Sequence, residues 1–300
     1  METIDILMAT YNGEKYIESQ ILSLLAQTHK NWMLFIHDDG SVDNTIDIIR
    51  KYEKLDTRII LIQDNIKFGN AGANFLHLLN FSDSKYIVFC DQDDIWLEAK
   101  LELLYNKIKN KTEPLAVYCN AFGYNGNTIT TNKVSLIERE NLSDSLFLNS
   151  GVQGSSLMFN EELKKQIIDF PNYIYMHDHY VTMFAITFAN LLYVDKSLML
   201  YRQHSLNVTG NVPITIFDRI RSFFNKENPI IDNNHYKANQ SFYDKFKNKM
   251  TKNQRELFEA YLEFPKKGFF SKILSVFKND FRVGNTKFIL LIKLFVKKTI

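Results

Sequence analysis

Two cysteines and eleven glycines in 300 residues are too few for a disulfide scaffold or a collagen-like repeat. Also missing is any run of the ~18 uncharged apolar residues that a membrane-spanning helix needs. Val181 to Val194 is apolar but short, and Phe288 to Val296 is interrupted by Lys293. The opening Met1-Glu-Thr-Ile-Asp-Ile-Leu-Met-Ala has no basic segment followed by an apolar stretch and a small-residue cleavage site, so no secretory leader is expected. Cys90 and Cys119 each lie at or beside an apolar run, where buried thiols are expected rather than a disulfide, and the expected compartment is cytoplasmic. No Gly-x-Gly-x-x-Gly follows the first apolar run and no Walker sequence occurs, so ordinary dinucleotide or P-loop binding lacks its main support.

What is present is a globular composition, 45% apolar and 23% charged. Its formal charge of +2 conceals a division along the chain. Asp218 to Ile300 holds 18 basic and 8 acidic residues, a net +10, and the preceding 217 residues hold 18 basic and 26 acidic, a net −8.

Short apolar runs alternate with helical patterns over the first hundred residues, the mark of a parallel sheet with crossover helices. Strands are expected at Ile4 to Met8, Trp32 to Ile36, Ile59 to Ile62 and Tyr86 to Cys90, with helices at Tyr16 to Ala26, Asn44 to Tyr52 and Gly72 to Leu79. Beyond about Leu115 strands and helices mix, and from Ile216 the chain is rich in Lys, Phe and Asn at helical spacing.

In an open parallel sheet, ligands gather where loops leave the C-terminal ends of the strands. Those loops read Ala9-Thr10-Tyr11-Asn12-Gly13, His37-Asp38-Asp39-Gly40-Ser41, Gln63-Asp64-Asn65 and Asp91-Gln92-Asp93-Asp94. Five aspartates, Asp38, Asp39, Asp91, Asp93 and Asp94, thus share one rim and call for a cation, a raised pKa or water. The Asp-x-Asp-Asp group could hold Mg²⁺ or Mn²⁺, or its last two members could cap a helix near Glu98. Thr10, Tyr11 and Asn12 offer a hydroxyl, an aromatic face and an amide to a stacked base, or simply form a turn. Asp39 could meet a base or ribose, or cap the helix at Asn44. Asp178 could be a base or cap the apolar helix near Tyr180.

Four elements in this order resemble the inverting glycosyltransferases of family two: Ala9-Thr-Tyr-Asn-Gly13, Asp38-Asp-Gly-Ser-Val-Asp43, the Asn65/Gly69/Asn74 spacing, and Cys90-Asp-Gln-Asp-Asp-Ile-Trp-Leu97. Met176-His-Asp-His179 and Leu200-Tyr-Arg-Gln-His-Ser-Leu-Asn207 resemble the rhamnosyltransferase-like branch. The resemblance covers about Ile4 to Gly210. It implies an α/β, GT-A fold: a Rossmann-like, mixed but mainly parallel sheet flanked by helices, with a C-terminal helical appendage. Residues 1–210 would form the catalytic domain, with 1–105 the nucleotide-sugar half and 106–210 the acceptor half. Residues 211–300 would form a basic, mostly helical region.

Carried over by position, the resemblance implies that Tyr11 and Asp39 hold the base, with Thr10 and Asn12 in the same pocket. Asp91, with Gln92, lies near ribose or donor sugar, Asp93 ligates Mn²⁺ or Mg²⁺ with Asp94 beside it, and Asp178 is the general base. His204 and Arg202 meet the diphosphate or metal. Asn74 belongs to the donor pocket, and Gly154, Ser155 and His177 to the acceptor side. Two departures stand out: Ala73-Asn74 replaces a common Arg-Asn pair, and His177-Asp178 a common Glu-Asp. The implied reaction moves a hexose or deoxyhexose, such as rhamnose, from a UDP- or TDP-sugar to a glycan or lipid-linked glycan in bacterial surface polysaccharide synthesis. Competing readings are a nucleotidyltransferase acting on sugar phosphates, which normally has a Gly-rich basic loop after the first strand, and a non-catalytic glycan-binding relative.

Beyond Pro213, basic residues interleave with apolar ones in Ile220-Arg-Ser-Phe-Phe224, Lys266 to Leu274 and Lys287 to Lys298. Such segments suit helices lying on an anionic membrane surface, here the inner face of the cell membrane, or helices packed on the catalytic domain with solvated lysines. Nucleic acid is not an expected partner, because no binding motif occurs and the acidic body would repel a polyanion.

Overall fold

A computed structural model describes residues 2–204, 216–225, 227–284 and 286–300. The described chain divides into two compact units. The first comprises Met1–Ser135, Val152–Ile168 and Leu192–Val212, and the second Leu136–Gly151, Asp169–Leu191 and Pro213–Ile300. The boundary therefore does not follow chain order: the segments at 136–151 and 169–191, expected in one continuous domain ending at 210, group instead with the C-terminal helices.

The strands of the first unit are β1 (Ile4–Thr10), β2 (Trp32–Asp38), β3 (Ile59–Ile62), β4 (Tyr86–Asp91), β5 (Ile95–Trp96), β6 (Leu115–Tyr124), β7 (Ile129–Lys133), β8 (Leu157–Asn160) and β9 (Asn190–Arg202). They form one sheet in the order β3-β2-β1-β4-β8-β6-β9-β5, with β7 beside β6. β1, β2, β3 and β4 pair in parallel, whereas β8 runs antiparallel to both β4 and β6. Between the parallel strands run α1 (Ile17–Leu25), α2 (Thr45–Leu55) and α3 (Ala71–Leu78), and α4 (Lys100–Ile108) follows β5. These are the expected strands and crossover helices, each within a few residues of its sequence pattern.

Every residue of β1 is buried, as befits a central strand covered on both faces. Alternation sends Ile4, Ile6 and Met8 into a core with Ile21 and Leu24 of α1, Ile49 of α2 and Leu101 and Leu104 of α4. On β4, Phe89 sits between Val88 and Cys90 of that core and turns instead to Phe75 of α3 and Phe159 of β8, with ring centroids 5.5 and 5.2 Å away. The one carboxylate inside β1, Asp5, accepts hydrogen bonds from the hydroxyls of Ser82 and Ser84 and the amides of Asp83 and Ser84, which removes the penalty of an unsatisfied buried acid.

The second unit contains α5 (Leu142–Ser145) and, after α6 (Glu161–Ile167) of the first unit, α7 (His177–Phe188). It continues with α8 (Ile216–Phe224), α9 (Asn233–Phe246), α10 (Lys252–Leu262), α11 (Phe269–Lys278) and α12 (Lys287–Val296). Its core is aromatic: Phe184 of α7 meets Phe246 of α9 at 5.3 Å, and Phe147 meets Phe264 and Phe281 at 4.9 Å each. The C-terminal region is helical, as expected. No described helix is long and apolar enough to cross a membrane.

Candidate active site

Parallel pairing sets Thr10 of β1 opposite Asp38 of β2, so the two rim loops leave the sheet side by side. Asp38 closes its own turn. Its Oδ1 accepts from the Gly40 and Ser41 amides at 3.0 and 2.7 Å, and its Oδ2 from the Thr10 and Ser41 hydroxyls at 2.8 and 2.6 Å. Thr10, expected in the base pocket, is buried in this service. Asn12 joins the loops, its amide donating to Ser41 Oγ at 2.8 Å and its Oδ1 accepting from Val42 N at 3.0 Å. Gln92 does the same from β4: its Oε1 accepts from Tyr11 N at 3.1 Å and its Nε2 donates to Tyr11 O at 2.9 Å. Gly13 makes room for this clamp, since a Cβ there would lie 2.2 Å from Gln92 Oε1. The backbone of Tyr11 is thereby fixed while its ring is 56% exposed, which leaves an aromatic face for stacking.

Asp39 does not cap α2. Its Oδ1 accepts from Phe68 N at 2.5 Å, tying the loop after β2 to the loop after β3. That second loop turns through left-handed backbone at Asn65 and Gly69 (φ 61° and 60°). Asn74, expected in the donor pocket, is buried in α3, where its amide bonds His37.

Beyond β4 the chain does not enter a helix directly. The two residues of β5 pair antiparallel with β9, Ile95 opposite Leu200 and Trp96 opposite Met199, and α4 begins only at Lys100. Asp93 and Asp94 therefore cap nothing and are carried against the end of β9. Asp93 Oδ2 lies 2.7 Å from His204 Nε2, and its carbonyl accepts from Arg202 Nε at 2.7 Å. Asp94 differs from its expected place as a ligand beside the ion: it is fully buried, with Oδ1 accepting from Arg202 N at 3.1 Å. Burial, reinforced by Asp91 and Asp93, raises its pKa well above the carboxylate range and favours the protonated form. Asp91 stays half-buried at the strand end, its amide donating to Ser155 Oγ at 2.8 Å. Ser155, assigned from sequence to the acceptor side, is itself buried, and Gly154 beside it is buried too.

Two side chains here, Tyr16 and Lys100, were not singled out from the sequence. The ring of Tyr16, read only as a helix start, stacks on His204 at 4.6 Å, and the Arg202 guanidinium lies 4.8 Å from Tyr16 and 4.7 Å from Tyr124. Lys100 is buried, donates from Nζ to Ser155 O at 2.5 Å and sits 3.2 Å over the Trp96 ring; burial brings its pKa down to about 8. A lysine opening the apolar spacing Leu101, Leu104, Tyr105 was the available hint. Within the loop expected to close over the donor, Ser205 to Asn207 lie outside the described residues.

Asp93 and His204, side chains 18% and 14% exposed, present a carboxylate oxygen and an imidazole nitrogen in direct contact at an acidic strand end. That donor set fits Mn²⁺ or Mg²⁺, ions that accept one or two protein ligands and complete their shells with water and phosphate.

In the second unit, α7 begins at His177, with Met176 as its cap residue. Asp178 occupies the first turn, half-buried, where its charge is favourable, and its Oδ1 accepts from His179 N at 2.6 Å. Gly151 packs so closely that a Cβ there would fall 2.5 Å from the Asp178 carbonyl and the His179 amide. Buried Arg139 holds this loop, donating from Nη2 to Ser150 Oγ and Gly151 O at 3.0 Å each. His177, expected toward the acceptor, and His179 are both buried, and burial lowers each pKa to about 3.

The chain belongs to glycosyl transferase family 2, whose family model matches residues 5–188. Over 220 residues it is 37% identical to the dTDP-rhamnosyl transferase RfbG of Shigella flexneri, covering 68% of this chain and 73% of that protein. It is 28% identical over 211 residues to WfgD of Escherichia coli, a UDP-Glc:alpha-D-GlcNAc-diphosphoundecaprenol beta-1,3-glucosyltransferase, covering 69% of this chain and 80% of that one. Among solved structures, S. aureus TarS 1–349 aligns with a TM-score of 0.60 at 17% identity, over 93% of this chain and 72% of that one. The mannosyltransferase PcManGT of Pyrobaculum calidifontis, solved with GDP-Man and Mn²⁺, aligns at 0.57 and 13% identity, over 91% of this chain and 72% of that one. The fold is thus GT-A, and the sequence relatives RfbG and WfgD are bacterial glycosyltransferases.

The two buried imidazoles predict an acid sensitivity. Their folded pKa values lie below the ordinary 6.5, so the unfolded chain binds more protons between about pH 6.5 and 3 and stability falls as pH falls through that window. At pH 5 the loss is roughly 2 kcal/mol for each histidine. The urea midpoint should therefore drop between pH 7 and pH 5, and His177→Gln should narrow that drop; an unchanged difference in the variant would contradict the assignment.

Proposed function

We propose that the chain is a metal-dependent, inverting transferase that moves a hexose or deoxyhexose, rhamnose being the leading candidate, from a UDP- or TDP-sugar to a lipid-linked glycan. The observation that carries this reading is the contact of Asp93 with His204 beside Arg202, at the rim where Tyr11 offers an exposed ring and Asp39 a carboxylate. Similarity to RfbG and WfgD supports the donor and acceptor classes.

In this reading Tyr11 stacks on the base, Asp39 accepts from it, and Asp91 meets ribose or sugar. Thr10, Asn12, Gln92 and Ser155 hold those groups in place from behind. Asp93 and His204 would hold a divalent cation, which when bound would supply positive charge toward the diphosphate, and Arg202 adds its own. Asp178 takes the proton of the acceptor hydroxyl as its oxygen bonds the anomeric carbon; the bond to the diphosphate breaks on the opposite face, and the nucleoside diphosphate departs with its electron pair. Asp178→Asn should lower turnover by at least about 100-fold while leaving nucleotide affinity within about twofold. Unchanged turnover would remove Asp178 from the chemistry, and absence of turnover in the unmodified chain would favour a glycan-binding role.

The second unit bears a surface suited to the membrane where a lipid-linked acceptor lies. Phe270, Leu274 and Phe277 share one face of α11 and are exposed, as are Phe288 and Phe295 of α12, and lysines flank both helices. Phe269 packs on Phe295 at 5.0 Å, which joins the two helices. The full chain should sediment with phosphatidylglycerol vesicles at low salt, and Phe270→Ser with Phe288→Ser should weaken this; no sedimentation of the unmodified chain would refute membrane docking.

A further inference from the structure

Away from the Asp93 site, three side chains from separate elements converge: His37 at the end of β2, Asp64 after β3, and His77 in α3. One ligand atom from each, two imidazole nitrogens and a carboxylate oxygen, all lie within 4.8 Å of one another.

Hydrogen bonding fixes the orientation of the His37 ring. Asn74 Nδ2 donates to the His37 carbonyl at 3.2 Å, which orients that amide and turns Oδ1 toward His37 Nδ1 at 2.7 Å. An oxygen there requires Nδ1 to carry a proton. In a neutral ring Nε2 is then a bare lone pair, and it faces Asp64 Oδ1 at 3.0 Å. Asp64 Oδ1 accepts from the Ile66 amide at 3.0 Å, which holds the carboxylate in this orientation. On its other side, His77 Nε2 lies 2.6 Å from Asp64 Oδ2. Two lone pairs cannot face each other at this separation without a positive centre between them.

We propose that this centre is a zinc ion bound by His37 Nε2, Asp64 and His77 Nε2. Two histidines and one carboxylate are a borderline N/O set that suits Zn²⁺, with a fourth position for water. The Asn74 oxygen on His37 Nδ1 is the outer partner that fixes the tautomer of a metal-bound histidine. The side chains of Asp64 and His77 are 24% and 17% exposed, so the ion has a path from solvent. The ion would brace the nucleotide loop, because Phe68 packs on His37 and His77 at 5.7 and 5.0 Å while its amide holds Asp39.

The test uses the full chain carrying Asp93→Asn, so that the rim site does not contribute; its logic holds whether or not Asp93 binds metal. Zn²⁺ alone is titrated in competition with a chromophoric chelator. One equivalent should bind and raise the thermal midpoint. Adding His77→Ala, or separately Asp64→Asn, should weaken binding by at least about tenfold and abolish the midpoint shift, in protein whose circular dichroism is unchanged. Absence of Zn²⁺ binding in the Asp93→Asn chain, or equal binding after His77→Ala and Asp64→Asn, would overturn the proposal and leave a proton in the ion's place.

Discussion

The candidate site depends on a two-residue pairing. Ile95 and Trp96 join β9, and this pairing brings Asp93 and Asp94 against Arg202 and His204, more than a hundred positions away in the chain. The pairing also separates two neighbouring carboxyls. Asp94 is sealed in and driven toward its protonated form, whereas Asp93 keeps partial contact with solvent and an imidazole. Adjacent acids given different environments can serve different roles. Here one completes the backbone junction and the other keeps its carboxylate against His204 Nε2, the pair proposed to hold a cation.

Much of the rim chemistry goes into holding the rim still. Asp38 and Thr10 knit one turn, Asn12 fastens it to its neighbour, and the Gln92 amide grips the Tyr11 backbone from both sides. Fixing the loops before a ligand arrives reduces the ordering cost on binding, which is the benefit of a preorganised site. In the proposed reading the direct contacts with the donor then fall to few groups: the Tyr11 ring, Asp39, Asp91, Asp93, Arg202 and His204.

The parallel half of the fold was legible because its strands are short apolar runs between helical periods, and β3 coincides with its pattern, Ile59–Ile62. The rim motifs were legible as a set for the same reason, since strand ends could be located. Individual roles were not. Nothing in the composition of Thr10, Asn12 or Gln92 distinguishes a ligand contact from a side chain spent on the neighbouring backbone; that follows from the register of β1 with β2 and β4. Nor could Asp93 and Asp94 be told apart without β5, which is too short to show a period. The cluster of His37, Asp64 and His77 was invisible because its members belong to three separate elements. The two-unit division, with 136–151 and 169–191 joined to the C-terminal helices, rests on long-range aromatic packing such as Phe147 on Phe264 and Phe184 on Phe246.

The central claim is that Asp93 and His204 bind a nucleoside diphosphate through a divalent cation. It is tested most directly by calorimetric titration of UDP and TDP into the full chain with Mn²⁺ and again with excess chelator. The account predicts that at least one of the two binds with Mn²⁺ and loses most of its affinity when the cation is removed. Equal affinity in both conditions, or no binding of either nucleotide with Mn²⁺ present, would contradict it.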